Sequence, residues 1–239
     1  MSTPSLTEST PTQPAQPPAT TGRWRAWPLW FTASGVLGLA ATIGFDKRAG
    51  DTSDPHYMVT VRDMADLDHE MLRIGGMVGY VAVLCILILA AVWHRRVAQR
   101  FTWSLGAPLV TFGLVAAAAT LTLAYGWKGA LGNYLHGAAE EGTYDDQGLY
   151  VYYVMHDFTP YLGWVPVVGV LLGLGWMAFR ERLVSRGLGG FSLVLAALAF
   201  GATAVTGVPG LPFLSAFGLV AAGIWLAFGR SAVVREDAS

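Results

Sequence analysis

Residues Ile74–Trp93 read IGGMVGYVAVLCILILAAVW, twenty positions without one charge. At about 1.5 Å of rise per residue, a helix of that length covers roughly 30 Å, the thickness of a bilayer's hydrocarbon core. Five more runs of 18 to 21 residues share the property: Trp27–Phe45, Leu105–Tyr125, Tyr161–Phe179, Phe191–Val208 and Leu211–Phe228. Inside a bilayer only a helix satisfies its own backbone within one segment. The pattern therefore predicts an all-α, polytopic membrane protein, a six-helix transmembrane bundle. Gly207-Val208-Pro209-Gly210 leaves a very tight turn between the last two runs, where a broken or re-entrant pair is the alternative.

Charge orients the bundle. Ten Lys and Arg residues flank the runs on one side, among them Arg95, Arg96, Arg100, Arg180, Arg182 and Arg186. The opposite loops carry five: Lys47, Arg48, Arg62, Arg73 and Lys128. Cation excess marks the cytoplasmic side, so both termini are expected there, in a multi-pass protein of the cell membrane. The outer loops also hold twelve of the sixteen acids, giving them a net charge of −7 against +6 on the inner face. Acidic outer loops suit cations and repel nucleic acid. The apolar runs contain no charged residue, which disfavours a transporter, because ions and protons usually cross on intramembrane charges.

Residues 1–22, rich in Ser, Thr, Pro and Gln, are expected to be a disordered cytoplasmic tail. The lead is too long and the following run too full for a cleaved signal peptide, so the first helix is expected to be a retained anchor. Residues 23–230 form the transmembrane domain, with a core at 25–180 and an extra pair at 191–228, and 231–239 form a second cytoplasmic tail. Cys85 is the single cysteine, within an apolar run, so neither a disulfide framework nor a thiolate cluster can form.

The first outer loop, Asp46–Arg73, begins polar and turn-like. Tyr57–Arg73 reads as a helix whose second half runs into the next span, placing His69 in its first turn. The second outer loop, Gly126–Pro160, is aromatic and acidic, with Pro160 expected at the entrance of the fourth helix. Its Tyr and Trp residues suit an interfacial belt.

Four of the five histidines fall in these two loops: His56, His69, His136 and His156. Neutral imidazole is the commonest metal ligand, and carboxylates are its usual companions. His56 and His69 stand thirteen positions apart, with Asp51 and Asp54 just before the first. Asn133 and His136 share one face if that segment is helical, and Glu140 continues it. His156 closes this second set. The alternative reading is a hydrated acidic loop with exposed imidazoles.

In order, these residues resemble the C subunit of copper membrane monooxygenases, the family of particulate methane and ammonia monooxygenases. There an Asp, a His and a second His precede the next helix, with Arg-Asp between the histidines; here His56, Arg62-Asp63 and His69 match. A later family segment has Asn, His, Glu-Glu, then His and Gly-Trp; here Asn133, His136, Glu140-Glu141, His156 and Gly163-Trp164 match. The likeness covers about residues 25–180. Thr52 stands where the family has its Asp, Arg62-Asp63 is displaced by one, Asn133 precedes His136 by three rather than four, and the His136–His156 gap is longer. The last two runs have no counterpart.

The resemblance implies copper, with Asp51 or Asp54, His56 and His69 in one site and Asn133, His136 and His156 in a second. It also implies dioxygen-dependent oxidation of a small apolar substrate or ammonia, and two partner subunits in the bilayer. The competing expectation is a non-enzymatic membrane protein whose acidic cap binds a metal ion or a partner protein.

Overall fold

A computed structural model describes residues 26–51, 53–54, 56–134, 139 and 141–234. The expected N-terminal tail, His136 and Glu140 lie outside the described residues. The described chain is built of six α-helices: α1 (Leu29–Leu39), α2 (His69–Trp93), α3 (Gly106–Gly132), α4 (Asp146–Phe179), α5 (Arg186–Thr206) and α6 (Pro212–Phe228). No strand occurs among the described residues. Four helices are long and apolar enough to cross a membrane, namely α2 to α5. α1, continued by a π-helical turn over Ala40–Gly44, and α6, with 17 residues, are shorter. Pro28 and Pro212 start these two helices, and the π-turn and Gly229 end them.

The centre is the antiparallel trio α2, α3 and α4, with α3 packed against both neighbours; α1 lies on α2 and α6, and α5 on α4 and α6. Glycines set how close these helices come. A Cβ on Gly106 would fall 2.7 Å from the Gly173 carbonyl oxygen, and one on Gly76 would fall 3.1 Å from the Gly129 Cα. In lipid, where helices gain nothing from excluding water, such backbone proximity is a main source of association. At the basic end, the Glu181 carboxylate accepts from the Leu105 and Gly106 amides at 2.8 and 3.2 Å. It thereby meets the unpaired amides that open α3.

The tight turn between α5 and α6 is present. Gly207 and Gly210 hold φ of 73° and 70°, and a Cβ on Gly210 would sit 2.2 Å from the Tyr161 carbonyl oxygen. Backbone conformation favours glycine at both positions, and space requires it at Gly210. In the last segment, Val233 and Val234 are buried, and the Val233 amide donates to the Leu183 carbonyl.

Both acidic loops differ from their expected form. Val61–Asp66 is a short 3₁₀ helix, and Leu67 is extended, so Tyr57–Arg73 does not run as one helix. Two caps explain the break. Asp63 closes a capping box with Thr60, and Asp68 starts α2 by accepting from the Met71 amide at 3.0 Å. His69 is the first residue of α2, as expected.

The second loop is much shorter than Gly126–Pro160. α3 continues to Gly132, and Asp145 caps α4 through the Gly148 amide at 3.0 Å. Pro160 therefore lies inside α4, not at its entrance. Having no N–H, it leaves the His156 carbonyl without the usual helical donor.

Candidate functional site

Helix extension on the acidic side carries ionisable side chains into the protein. α3 buries Leu121, Ala124, Tyr125, Lys128 and Leu131, spaced by three and four residues, so Lys128 continues its inward stripe. Lys128 is 0% exposed. Its Nζ donates to the Ala41 and Phe45 carbonyls at 2.7 and 3.0 Å. The π-turn makes this possible. The Phe45 amide donates to Ala40 rather than Ala41, at 2.8 Å, which frees the Ala41 oxygen for the ammonium. A helix C-terminus is also where a cation gains from the backbone dipoles.

Asp46, directly after that turn, completes a cluster of three. Its Oδ1 lies 3.9 Å from Lys128 Nζ and 3.1 Å from His156 Nε2. Burial raises the acid's pKa, but the His156 hydrogen bond and the Lys128 charge outweigh it and hold Asp46 below its ordinary value of 3.8. An ionised carboxylate only accepts, so Nε2 of His156 carries the proton. His156 is 2% exposed, and its Nδ1 has no hydrogen-bond partner among the described residues. Below the cluster, Trp164 Nε1 donates to Thr42 Oγ1 at 3.2 Å, and Tyr125 donates to the Gly38 carbonyl at 3.2 Å. Thr42 and the Tyr125 hydroxyl are joined at 2.9 Å. These bonds tie α1, α3 and α4 together.

His69 is placed differently. Its Nδ1 is 2.7 Å from the Leu131 carbonyl oxygen. A carbonyl cannot donate, so Nδ1 carries the proton, and neutral His69 keeps its lone pair on Nε2. Metal-bound histidines usually have their other ring nitrogen anchored in this way.

Asp51, Asp54 and His56 are on the loop before His69. His56 is exposed, and its backbone amide donates to Asp54 Oδ1 at 2.8 Å. Asp51 Oδ1 accepts from the Ser53 amide and hydroxyl at 2.8 and 2.6 Å, and these bonds hold its pKa down. Asp63 takes the Tyr57 hydroxyl at 2.6 Å, which lowers its pKa and raises that of Tyr57. Arg48 donates to the Tyr57 carbonyl. A cavity of about 410 Å³ brings Asp51, Asp63, Asp66 and Asp68 around one space with Lys47 and Arg48. Asn133 is exposed at the C-terminus of α3.

Among the described residues, no three His, Cys, Asp or Glu side chains are grouped closely enough to hold a metal ion. The described residues therefore do not form a complete copper set, and the Lys128 ammonium beside Asp46 and His156 opposes a cation there. Comparison with protein-family models, curated proteins and solved structures finds no match to this chain. Asp46 and Lys128 were not among the residues singled out from sequence. The signal for Lys128 was the inward three-and-four spacing continuing past Tyr125 to Lys128 and Leu131.

Proposed function

We propose that this chain is an integral membrane protein whose acidic cap faces out of the cell and binds a metal ion through His69. Copper is the ion that the resemblance implies, and the role is that of a copper-binding subunit in a membrane monooxygenase. The observation that supports the reading is the orientation of His69: Nδ1–H held by the Leu131 carbonyl, Nε2 left with its lone pair. Asp51, Asp54 and His56 belong to the adjoining loop; the second set that the resemblance implies is left out, because His156 is committed to Asp46 beside the Lys128 ammonium. Bound copper would supply the redox chemistry that dioxygen activation needs and that zinc lacks. The chain's own part is to fix one imidazole on a helix end.

A second reading is a non-enzymatic membrane protein whose cap binds a partner protein. It is favoured by the cap's internal bonding, because Asp51, Asp54 and Asp63 are each engaged in local hydrogen bonds. Metal content and copper EPR of the full chain, purified in mild detergent, test the first reading. Stoichiometric copper with nitrogen coupling supports it, and metal-free protein after copper loading contradicts it. Dioxygen-dependent turnover, measured with the partner subunits present, separates enzyme from binding protein. A reporter inserted near Gly142 should be external and one fused after Arg186 cytoplasmic; the reverse would overturn the orientation.

A further inference from the structure

A groove of about 760 Å³ runs between α2 and α3. It has a polar end and an apolar end. Arg73, one turn into α2, and Asn133, at the C-terminus of α3, stand at the acidic end of the bundle. Ile74, Met77 and Val78 line the remainder. Gly126 and Gly129 keep the space open: a Cβ on either would meet nothing nearer than the Tyr80 hydroxyl, at 3.7 and 3.5 Å.

The polar groups at this groove are unengaged. Arg73 is exposed and has no ion pair or hydrogen bond among the described residues, and the same holds for the side chains of Asn133 and Tyr80. Among the described residues Arg73 is the only cation that lines the groove. Seven residues separate Arg73 from Tyr80 on α2 and Gly126 from Asn133 on α3, about 10 Å along each helix axis. Met77 and Ile74 open outward, at 60% and 42% exposure.

We propose that this groove binds one phospholipid from the leaflet at the acidic end. The lipid phosphate would lie against Arg73 and Asn133, and an acyl chain would follow Ile74, Met77 and Val78 toward Tyr80. Charge complementarity selects the headgroup, because the phosphate meets the Arg73 guanidinium. The order of groups selects a lipid over a soluble anion, since polar and apolar ends align along the helices as they do in a bilayer leaflet. The inference rests on the membrane reading, and solubility without detergent would remove that reading first.

The test uses the full chain in mild detergent, titrated with phosphatidylglycerol and followed by native mass spectrometry. Wild type should retain one lipid per chain. Arg73→Ala should weaken retention about fivefold, the loss that corresponds to about 1 kcal/mol for one cation at a lipid surface. Gly129→Leu should weaken it by filling the groove, with the helical circular dichroism unchanged. Arg62→Ala, an exposed cation outside the groove, should have no effect. Retention that is unchanged in both groove variants, or lowered as much by Arg62→Ala, would overturn the proposal. So would displacement of the lipid by millimolar inorganic phosphate, or a dimer in place of the lipid adduct. Loss in Gly129→Leu alone would overturn the assigned role of the phosphate.

Discussion

His69 and His156 both stand on the acidic side of the bundle, yet their surroundings give them opposite chemistry. His69 opens α2, is anchored through Nδ1 to a backbone carbonyl, and keeps Nε2 free. His156 lies within α4, 2% exposed, with Nε2 committed to Asp46. Lys128 lies 3.9 Å from the same carboxylate oxygen. The difference comes from where each helix begins. Asp68 starts α2 immediately before His69, so the imidazole stays near the loop. Asp145 starts α4 eleven residues before His156, which carries the side chain into the packed interior. One imidazole is thus available for chemistry, and the other belongs to a buried junction that joins three helices.

The largest effect should come from the junction. Lys128→Met keeps the stem but leaves Asp46, Ala41 and Phe45 without the ammonium. Asp46 is exposed, so most of the loss comes from the two carbonyl bonds of the buried ammonium, about 1.5 kcal/mol or more each. The loss should appear as a lower unfolding midpoint in detergent, and adding Asp46→Asn to the same chain should recover part of it. An unchanged midpoint in Lys128→Met would break the junction's structural role.

Next comes His156→Ala, which removes a buried ring and its bond to Asp46 and should cost about 2 kcal/mol. His69→Ala should cost about 1 kcal/mol at most, since it gives up one hydrogen bond at a helix end. If the order were reversed, the contrast between available and structural imidazole would fail.

A smaller effect concerns acid. Asp46 has a folded pKa below its unfolded value, so its contribution is complete above about pH 4 and is lost as pH falls through the folded value. Asp46→Asn should therefore narrow the stability difference between pH 6 and pH 3. Equal acid sensitivity in wild type and Asp46→Asn would show that other carboxylates govern that range.

Much of this architecture was legible from one-letter patterns. The apolar runs coincide with six α-helices, four of them long enough to cross a membrane where six spans were expected, and the Gly-Val-Pro-Gly segment marked the turn between α5 and α6. His69 at the start of α2 followed from the run beginning at Ile74 and the acids before it. What escaped was the reach of α3 and α4 beyond their apolar runs. Hydropathy drops when Trp127, Lys128, Tyr150 and Tyr152 appear, although an amphipathic helix continues through them. The same lapse put Lys128 among the loop cations and hid Asp46, because a π-turn and a long-range ion pair leave no local signature. The site was legible only as residue types: the sequence offered histidines and acids, but the tautomer of His69 and the Asp46–His156 bond depend on distant backbone and side-chain groups.

The central claim is that His69 is the available imidazole of the acidic cap. The most direct measurement is copper bound per chain, with EPR, for wild type, His69→Ala and His94→Ala in mild detergent. His94 is the control, because it is exposed at the opposite end beside Arg95 and Arg96. His94→Ala should match wild type, and His69→Ala should lose copper affinity by more than the roughly 10–100-fold typical of an outer-shell group. Equal copper retention in wild type and both variants would contradict it.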